Sequence, residues 1–294
     1  MARVTVCLSV YNGADTIADC LKSVFAQTYR DFDVLVLDDG STDGSADIAE
    51  EFDCRVIRIP NGGRGAALKR MIEEAEGELI ALIDRDDYWL PEKLQKQIGV
   101  FDATGATLVH ADCWYVHPDG REIERNLSFK PDATAFDHLL PTNVIIASSA
   151  VFNRQRMLDV GNFTPQTLRC CDWYGWFLLA RDGKFVHVPE KLVRYSVLDT
   201  SLANAGLKFF DSQYQLLSNM MLPRAEDLFA NLDPAQAAKF KKMMVVRSGI
   251  ALSSMGRALE KAGDKRAARD LHKRAIKMAP NVFRVWSRAI RSLL

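Results

Sequence analysis

Residues 79–87 read Leu-Ile-Ala-Leu-Ile-Asp-Arg-Asp-Asp, an apolar run that stops at three carboxylates within four positions. Five consecutive apolar residues predict a buried strand, and Pro91 opens a helical pattern that continues through Leu94 and Ile98. Carboxylates crowded at the end of a buried strand repel one another, and a divalent cation with oxygen ligands would offset that repulsion. A solvated acidic turn that caps the next helix is the alternative, so the neighbouring segments must decide.

Three further strand patterns precede this run, and each ends in a polar loop. They are Val4–Val10, Phe32–Leu37 and Arg55–Ile59, and helical patterns separate them. This alternation predicts an α/β fold with a mainly parallel sheet flanked by helices, because parallel neighbours need crossover helices. Ligands bind such sheets beyond the carboxyl ends of the strands. We therefore expect one cleft to collect these side chains: Ser9, Tyr11, Asp38, Asp39, Arg64, Lys69, Asp84, Asp86 and Asp87.

The middle of the chain is less regular. Thr107–His110 predicts a strand and Val116–Arg121 predicts a hairpin-type turn. Val144–Phe152 predicts a further strand that leads into a helix.

Charge is unevenly distributed along the chain, although the formal net charge is zero. From Arg224 onward there are 16 Lys and Arg against 6 Asp and Glu, so the C-terminal quarter is basic. No apolar run approaches the roughly 20 residues that a membrane helix needs. The strand pattern that begins at Val4 leaves no room for a signal peptide, and the six cysteines lack metal or disulfide spacing. These features favour a cytoplasmic protein with reduced thiols.

Four motifs follow one another in the first third of the chain. They are Ser-Val-Tyr-Asn (9–12), Leu-Asp-Asp-Gly-Ser-Thr-Asp (37–43), Asn-Gly-Gly-Arg-Gly-Ala-Ala (61–67) and Glu-Gly-Glu-Leu-Ile-Ala-Leu-Ile-Asp-Arg-Asp-Asp (76–87). Together they resemble family 2 of the inverting glycosyltransferases, which have a nucleotide-sugar-binding, Rossmann-like GT-A fold. The resemblance covers roughly residues 3–201. It implies a glycosyltransferase domain over residues 1–208 and leaves an all-α region over residues 209–294.

The resemblance also implies a role for each matching residue. Asp39 matches the aspartate that accepts a hydrogen bond from the nucleotide base, and Ser9 and Tyr11 would line the same pocket. Asp84 matches the acid beside the ribose. Asp86 matches the acid that binds the Mn²⁺ or Mg²⁺ bridging the diphosphate, a charge that a hard cation stabilises as the sugar departs.

A second chemical centre lies at Cys170-Cys171-Asp172-Trp173, before the apolar positions of a helix. On its own Asp172 predicts a helix cap. In the family it resembles the aspartate of the Glu-Asp motif, the catalytic base that takes the proton of the acceptor hydroxyl. Attack opposite the leaving diphosphate inverts the anomeric configuration. Asp87 is left to start the helix that follows the acidic cluster.

Four positions depart from the family pattern. The family usually has a basic residue at position 68, Glu at 171, Arg at 196 and His at 198. This chain has Leu68, Cys171, Ser196 and Leu198 at these positions. With Leu68 apolar, Arg64 or Lys69 would have to meet the phosphates. The departures keep open a noncatalytic nucleotide-sugar-binding or scaffold protein. A nucleotidyltransferase is a weaker alternative, because it would need a Gly- and Arg-rich first loop that residues 9–13 lack.

From Phe209 onward the periodicity is helical. Small residues and a proline fall at the spacing of one tetratricopeptide-type repeat, which predicts a helical hairpin over about residues 249–282 packed on the catalytic domain, with capture of a partner as the alternative. The last helix places Phe283, Trp286 and Ile290 near one face with arginines among them. Such a helix lies on an anionic membrane surface or docks on the protein's own core.

The resemblance thus implies a metal-dependent, inverting glycosyltransferase that takes a nucleotide sugar, with UDP as the first choice. Its acceptor would be a hydroxyl of a glycan or a lipid-linked molecule in cell-envelope polysaccharide synthesis. Nucleic acid is not expected as a partner, because the first domain is acidic and stacking motifs are missing. A homodimer and a peripheral position at the inner face of the membrane remain open.

Overall fold

The computed structural model describes residues 1–126, 133–167, 169–197 and 207–293. Leu198, one of the four departures from the family pattern, lies outside the described residues. The chain divides into two compact units. The sheet unit comprises Met1–Ala135 and Asn143–Leu198, and the helical unit comprises Phe136–Thr142 and Asp199–Leu294.

The described part of the sheet unit contains nine strands. They are β1 (Val4–Val10), β2 (Phe32–Asp38), β3 (Arg55–Arg58), β4 (Leu79–Asp84), β5 (Tyr88–Trp89), β6 (Leu108–Val116), β7 (Glu122–Arg125), β8 (Val151–Asn153) and β9 (Phe185–Ser196). The helices are α1 (Ile17–Phe25), α2 (Ser45–Glu50), α3 (Arg64–Glu74), α4 (Lys93–Thr104), α6 (Arg154–Asp159) and α7 (Cys171–Ala180). Helix α5 (Ala135–Leu139) begins at Ala135, the last residue of Met1–Ala135, and its other residues belong to the helical unit. The predicted fold class, an α/β fold with a mixed sheet flanked by helices, is confirmed. Parallel and antiparallel strand pairs are equally numerous among the described residues, four of each.

The sheet has two halves that differ in strand direction. Its order is β3-β2-β1-β4-β8-β6-β9-β5, with β7 paired to β6. In the parallel half, strands β3, β2, β1 and β4 all run the same way. The second half begins with β8, which is antiparallel to both β4 and β6, and it ends with β5 antiparallel to β9. Residues Leu79–Ile83 are all buried, as a strand covered on both faces requires.

The prediction of a strand over Val144–Phe152 is wrong in its extent. Only Val151–Asn153 forms a strand, and Ala147–Ser149 forms a short 3₁₀ helix. That turn directs Ser148 inward, where its hydroxyl accepts the backbone N–H of Asp84 and its carbonyl accepts the indole N–H of Trp89. Apolar periodicity alone does not register such contacts, because they come from residues distant in sequence.

The acidic cluster also differs from prediction at one residue. Asp87 does not start a helix, since α4 begins at Lys93 and its N-cap is Glu92. Asp87 instead precedes β5, the short strand that pairs with β9. The predicted hairpin turn is present, because the N–H of His117 donates to the carbonyl of Arg121 between β6 and β7.

The helical unit is built around one long hairpin. Its helices are α8 (Leu207–Tyr214), α9 (Ala225–Leu228), α10 (Pro234–Lys261), α11 (Lys265–Met278) and α12 (Phe283–Leu293), with a π-helix at Gln215–Met221. The helices α10 and α11 pack closely at glycines: a Cβ on Gly256 would lie 2.9 Å from the His272 ring. The helical C-terminal extension expected from the sequence is therefore present, with its hairpin formed by Pro234–Lys261 and Lys265–Met278. Over the described ranges, no helix is both long enough and apolar enough to cross a membrane.

Candidate active site

The carboxyl ends of the parallel strands are level, which brings their loops together. Ser9, at the end of β1, is aligned with Leu37 in β2 on one side and with Asp84 in β4 on the other. Tyr11 follows two residues later, and half of its surface is exposed. A polar hydroxyl and an exposed aromatic ring therefore border the acidic end of β4.

The loops after β2 and β3 are fastened to each other by Asp39. Its buried carboxylate accepts the backbone N–H groups of Gly62 and Gly63, at 2.7 and 2.9 Å. The Asn61 amide donates to the Asp39 carbonyl at 3.0 Å. Gly63 has φ of +81°, a conformation that favours glycine. Because a carboxylate has about four lone-pair directions, Asp39 can still accept a hydrogen bond from a ligand.

Arg64 lies inside the acidic cluster. It is the first residue of α3, and its Nη1 donates to Oδ2 of Asp84 at 2.7 Å. Burial would lower the pKa of Arg64, but the negative charges of Asp84 and Asp172 raise it, so the guanidinium stays charged. Arg64 is thus paired with the acid at the end of β4, and its charge also acts on the acid at the start of α7.

The other predicted phosphate ligand is placed differently. Lys69 forms an ion pair with Glu73 at 3.0 Å, one turn further along α3, and both side chains are more than two-fifths exposed. Leu68, at the usual basic position of the family, is buried in the core. Arg64, and not Lys69, therefore pairs with a carboxylate of the acidic cluster.

Asp87 is held by neutral donors. It is fully buried, and its carboxylate accepts the hydroxyl of Ser148 and the backbone N–H of Ser196, the latter at 2.9 Å. The Ser196 hydroxyl also donates to the carbonyl of Asp86. Burial raises the pKa of Asp87 well above its usual range, and the neighbouring carboxylates of Asp84 and Asp86 raise it further. Asp87 therefore ties the acidic loop to the second half of the sheet.

Asp86 is the carboxylate best suited to a cation. Burial raises its pKa, and the charge of Asp84 adds to the effect. Among the described residues no other side chain donates a hydrogen bond to its carboxylate, whereas Asp84 is occupied by Arg64. The same residues contain no group of three or more His, Cys, Asp or Glu side chains that could hold a metal. One or two carboxylates nevertheless suit Mg²⁺ or Mn²⁺ when phosphate oxygens and water complete the coordination.

Asp172 lies in the first turn of α7, whose N-cap is Cys170 without a capping side-chain bond. Its carboxylate instead accepts the amide N–H of Asn143 at 2.9 Å. Burial raises the pKa of Asp172, and the charge of Arg64 acts in the opposite direction. A carboxylate with a raised pKa, held by neutral donors such as the Asn143 amide and the backbone N–H of Trp173, has the properties of a general base.

Comparison with known proteins fits this arrangement. The model of the glycosyl transferase family 2 matches residues 5–161, more than half of the chain. The chain belongs to glycosyl transferase family 2. Over 208 residues it is 24% identical to the putative teichuronic acid biosynthesis glycosyltransferase TuaG of Bacillus subtilis, an alignment that covers 68% of this chain and 81% of TuaG.

Two solved structures share the fold of this family 2 glycosyltransferase. S. aureus TarS 1-349 in complex with UDP-GlcNAc has a TM-score of 0.71 at 17% identity, covering 99% of this chain and 89% of that one. The mannosyltransferase PcManGT from Pyrobaculum calidifontis, in complex with GDP-Man and Mn²⁺, has a TM-score of 0.58 at 18% identity. That match covers 99% of this chain and 87% of PcManGT. At these identities the likeness concerns the fold.

Three residues of the glycosyltransferase site escaped sequence reasoning. They are Asn143, Ser148 and Ser196. Ser196 was visible only as a departure from the family pattern, and single Ser or Asn residues carry no spacing signal. Their importance depends on which strands pair, so a sequence pattern could not identify them.

A separate surface cleft of about 440 Å³ lies at the opposite ends of the strands. Thr5, Phe32, Asp33 and Arg55 are among the residues that line it. It contains none of the predicted site residues. The carboxyl-end cluster is therefore the candidate functional site, because ligands bind at these strand ends in open α/β sheets.

Proposed function

We propose that this protein transfers a sugar from a UDP-linked donor to a hydroxyl acceptor with inversion of configuration. The observation that carries the proposal is the position of Arg64. It is paired with Asp84 and acts electrostatically on Asp172, so the donor-side acids and the candidate base share one charged site. The UDP-GlcNAc bound to TarS supports UDP as the nucleotide.

Asp172 acts as the base. Its carboxylate takes the proton of the acceptor hydroxyl while the oxygen attacks the anomeric carbon. The bond between that carbon and the diphosphate oxygen breaks, and its electron pair leaves with UDP. Asn143 keeps the carboxylate oriented through its amide N–H. Attack on the face opposite the diphosphate produces inversion.

Donor binding falls to the loops of the parallel half. Asp39 accepts a hydrogen bond from the base beside Ser9 and Tyr11, and Asp84 lies by the ribose. Arg64 is close enough to Asp84 to exchange that partner for a phosphate oxygen. Lys69 lies five residues further along the same helix and is the less supported phosphate ligand. A Mn²⁺ or Mg²⁺ ion held by Asp86 would neutralise charge on the leaving diphosphate, and the Mn²⁺ bound to PcManGT supports this assignment.

The acceptor belongs to a cell-envelope glycan, either free or lipid-linked. The support is the teichuronic acid biosynthesis named for TuaG. A growing envelope glycan would place the enzyme at the inner face of the membrane, as a peripheral protein. Homodimerisation is compatible with this proposal but is not needed by it.

Release of UDP from a panel of UDP-sugars, with and without Mn²⁺, tests the proposal. Asp172→Asn keeps the size of the side chain and removes the base, and we expect turnover to fall at least 100-fold. Asp86→Ala should raise the Mn²⁺ concentration needed for activity. Asp159→Asn, the same change on an exposed residue of α6, is the control and should leave turnover unchanged. Full activity in Asp172→Asn would remove Asp172 from the mechanism.

A nucleotide-sugar-binding protein without turnover is the second candidate. Its support is Ser196, which stands where the family usually has arginine. The backbone N–H of Ser196 donates to the Asp87 carboxylate, and its hydroxyl donates to the Asp86 carbonyl. Calorimetric binding of UDP-sugars without transfer to any acceptor would favour it. Sustained transfer would exclude it.

A further inference from the structure

Helix α12 has two apolar faces, and only one of them is covered. Val285 and Ala289 are buried, and Val285 belongs to the core of the helical unit. Phe283, Trp286 and Ile290 point outward, with exposed fractions of 84%, 43% and 53%. Their spacing of three and four residues places them on one stripe along the helix. We call these three residues the α12 stripe.

The stripe presents apolar surface rather than hydrogen-bonding groups. The indole N–H of Trp286 already donates to the carbonyl of Pro280 at 2.6 Å. The exposed part of Trp286 is therefore ring surface, like that of Phe283. Leaving three large apolar side chains in water costs free energy that burial against another apolar phase would recover.

The segment of sequence that contains the stripe is strongly basic. Residues 271–294 contain six Lys and Arg and no Asp or Glu. Of the five whose side chains the structure describes, four are exposed: Lys273, Arg274, Lys277 and Arg284. Arg288 is different, because it turns inward and its guanidinium donates to the Ser254 hydroxyl at 2.9 Å. Lys273, Lys277 and Arg284 are thus exposed to solvent, Arg274 contacts the Tyr214 side chain, and the buried Arg288 stabilises the fold.

We propose that the α12 stripe and its exposed cations dock on an anionic lipid surface. Aromatic and aliphatic side chains that enter the headgroup region beside cations that meet anionic headgroups are the features of an interfacial helix. A second copy of this chain is disfavoured as the occupant, since two faces of the same positive charge would meet. The proposal does not depend on the proposed enzymatic function, because lipid binding needs no turnover.

Sedimentation with vesicles tests the docking. The full chain should sediment with vesicles of equal parts phosphatidylcholine and phosphatidylglycerol, but not with phosphatidylcholine alone, and added salt should weaken the binding. The double variant Phe283→Ser, Ile290→Ser should lower the partition coefficient at least tenfold, because its apolar contact is lost. Arg284→Glu should lower it about tenfold, since each cation near such a surface contributes favourably.

Matched controls come from the exposed β6–β7 hairpin of the sheet unit. Ile123→Ser removes an apolar side chain that is 46% exposed, and Arg121→Glu makes the same change in net charge as Arg284→Glu. Both should bind vesicles within about twofold of the natural protein, because neither residue belongs to the proposed surface. Thermal unfolding by circular dichroism verifies that every variant is folded.

Any one of four results would overturn the proposal. The first is equal binding to neutral and anionic vesicles, or none to either. The second is unchanged binding by the Phe283→Ser, Ile290→Ser variant. The third is a protein that does not bind vesicles but self-associates in analytical ultracentrifugation, with the self-association lost when Phe283 is replaced. That result would assign the stripe to a second copy. Selective capture of poly-glutamate through the same residues, without vesicle binding, would assign it to an acidic protein and would equally reject the lipid surface.

Discussion

The two halves of the sheet supply different chemistry to one site. The parallel half supplies charges, namely Asp39, Arg64, Asp84 and Asp86. The second half supplies mainly neutral donors from Ser148 and Ser196, while Asn143 orients Asp172. The difference shows that the acids alone do not make the site. Hydrogen bonds from segments more than 50 residues away in the chain offset the cost of burying these acids and their mutual repulsion.

Asp87 is where the two halves meet, and its loss should have the largest effect on stability. Asp87→Ala leaves the buried N–H of Ser196 and the hydroxyl of Ser148 without their acceptor, which should lower the free energy of unfolding by about 3 kcal/mol. Urea unfolding measures the change. Asp159→Ala, at an exposed position, should stay within about 0.5 kcal/mol of the natural protein. A loss that small for Asp87→Ala would mean that the halves are not joined there.

The parallel half is the part that the sequence predicted well. Its four strands fall close to their predicted limits, because runs such as Leu79–Ile83 are buried on both faces and leave a continuous apolar pattern. The prediction of a strand at Val144–Phe152 was wrong because Ser148 turns inward to form hydrogen bonds with Asp84 and Asp87. Hydrophobic periodicity does not register such contacts. The assignments of Asp39, Asp86 and Asp172 to ligand or base remain predictions.

A substitution at Gly65 would disturb a second contact, the one between α3 and Thr164. A Cβ there would overlap the backbone carbonyl of Thr164, so helix α3 would have to move and take Arg64 with it. We expect Gly65→Ala to cost about 2 kcal/mol in stability. Turnover should fall as well, as measured by UDP release.

Gly99→Ala is the matched control for that change. Gly99 is also helical, but nothing lies within 4 Å of the point where an added Cβ would stand. Ala at this position should be neutral or stabilising by up to about 1 kcal/mol. Equal destabilisation by both substitutions would show that contact with Thr164 is not the cause.

Lys93 sharpens the comparison, because it is a buried basic group that the described residues leave without a hydrogen-bond acceptor. Among the described residues its ammonium has no hydrogen-bond partner and lies 4.0 Å from the centre of the Trp89 ring. Burial lowers its pKa well below the usual range. The unfolded chain therefore binds this proton more readily, so Lys93 reduces stability increasingly as pH falls below its unfolded pKa.

Lys93→Met should consequently raise the melting temperature, with a gain of about 1 kcal/mol at pH 7. The gain should shrink as pH rises toward the ordinary pKa of lysine, and melting curves across pH measure it. Lys96→Met changes a partly exposed lysine paired with Glu190, and its effect should not follow that trend. A gain that is constant with pH would contradict the assigned burial of the charge.

The smallest expected effect is at Asn143. Its amide stabilises the ionised form of Asp172, so Asn143→Ala should raise the pKa of that carboxylate. Because a base works when deprotonated, the acid limb of the pH profile of kcat should move to higher pH. Asn219→Ala, on an exposed helical residue, should leave the profile in place. A shift to lower pH would exclude the proposed role of Asn143.

In the proposed mechanism Asp172 deprotonates the acceptor, which then attacks a donor held by the loops of the parallel half. The most direct test of this mechanism is to measure UDP affinity by calorimetry and turnover by UDP release in the same Asp172→Asn protein. We predict UDP affinity within about threefold of the natural protein and turnover reduced at least 100-fold. Turnover that survives, or UDP binding that is lost together with turnover, would contradict the account.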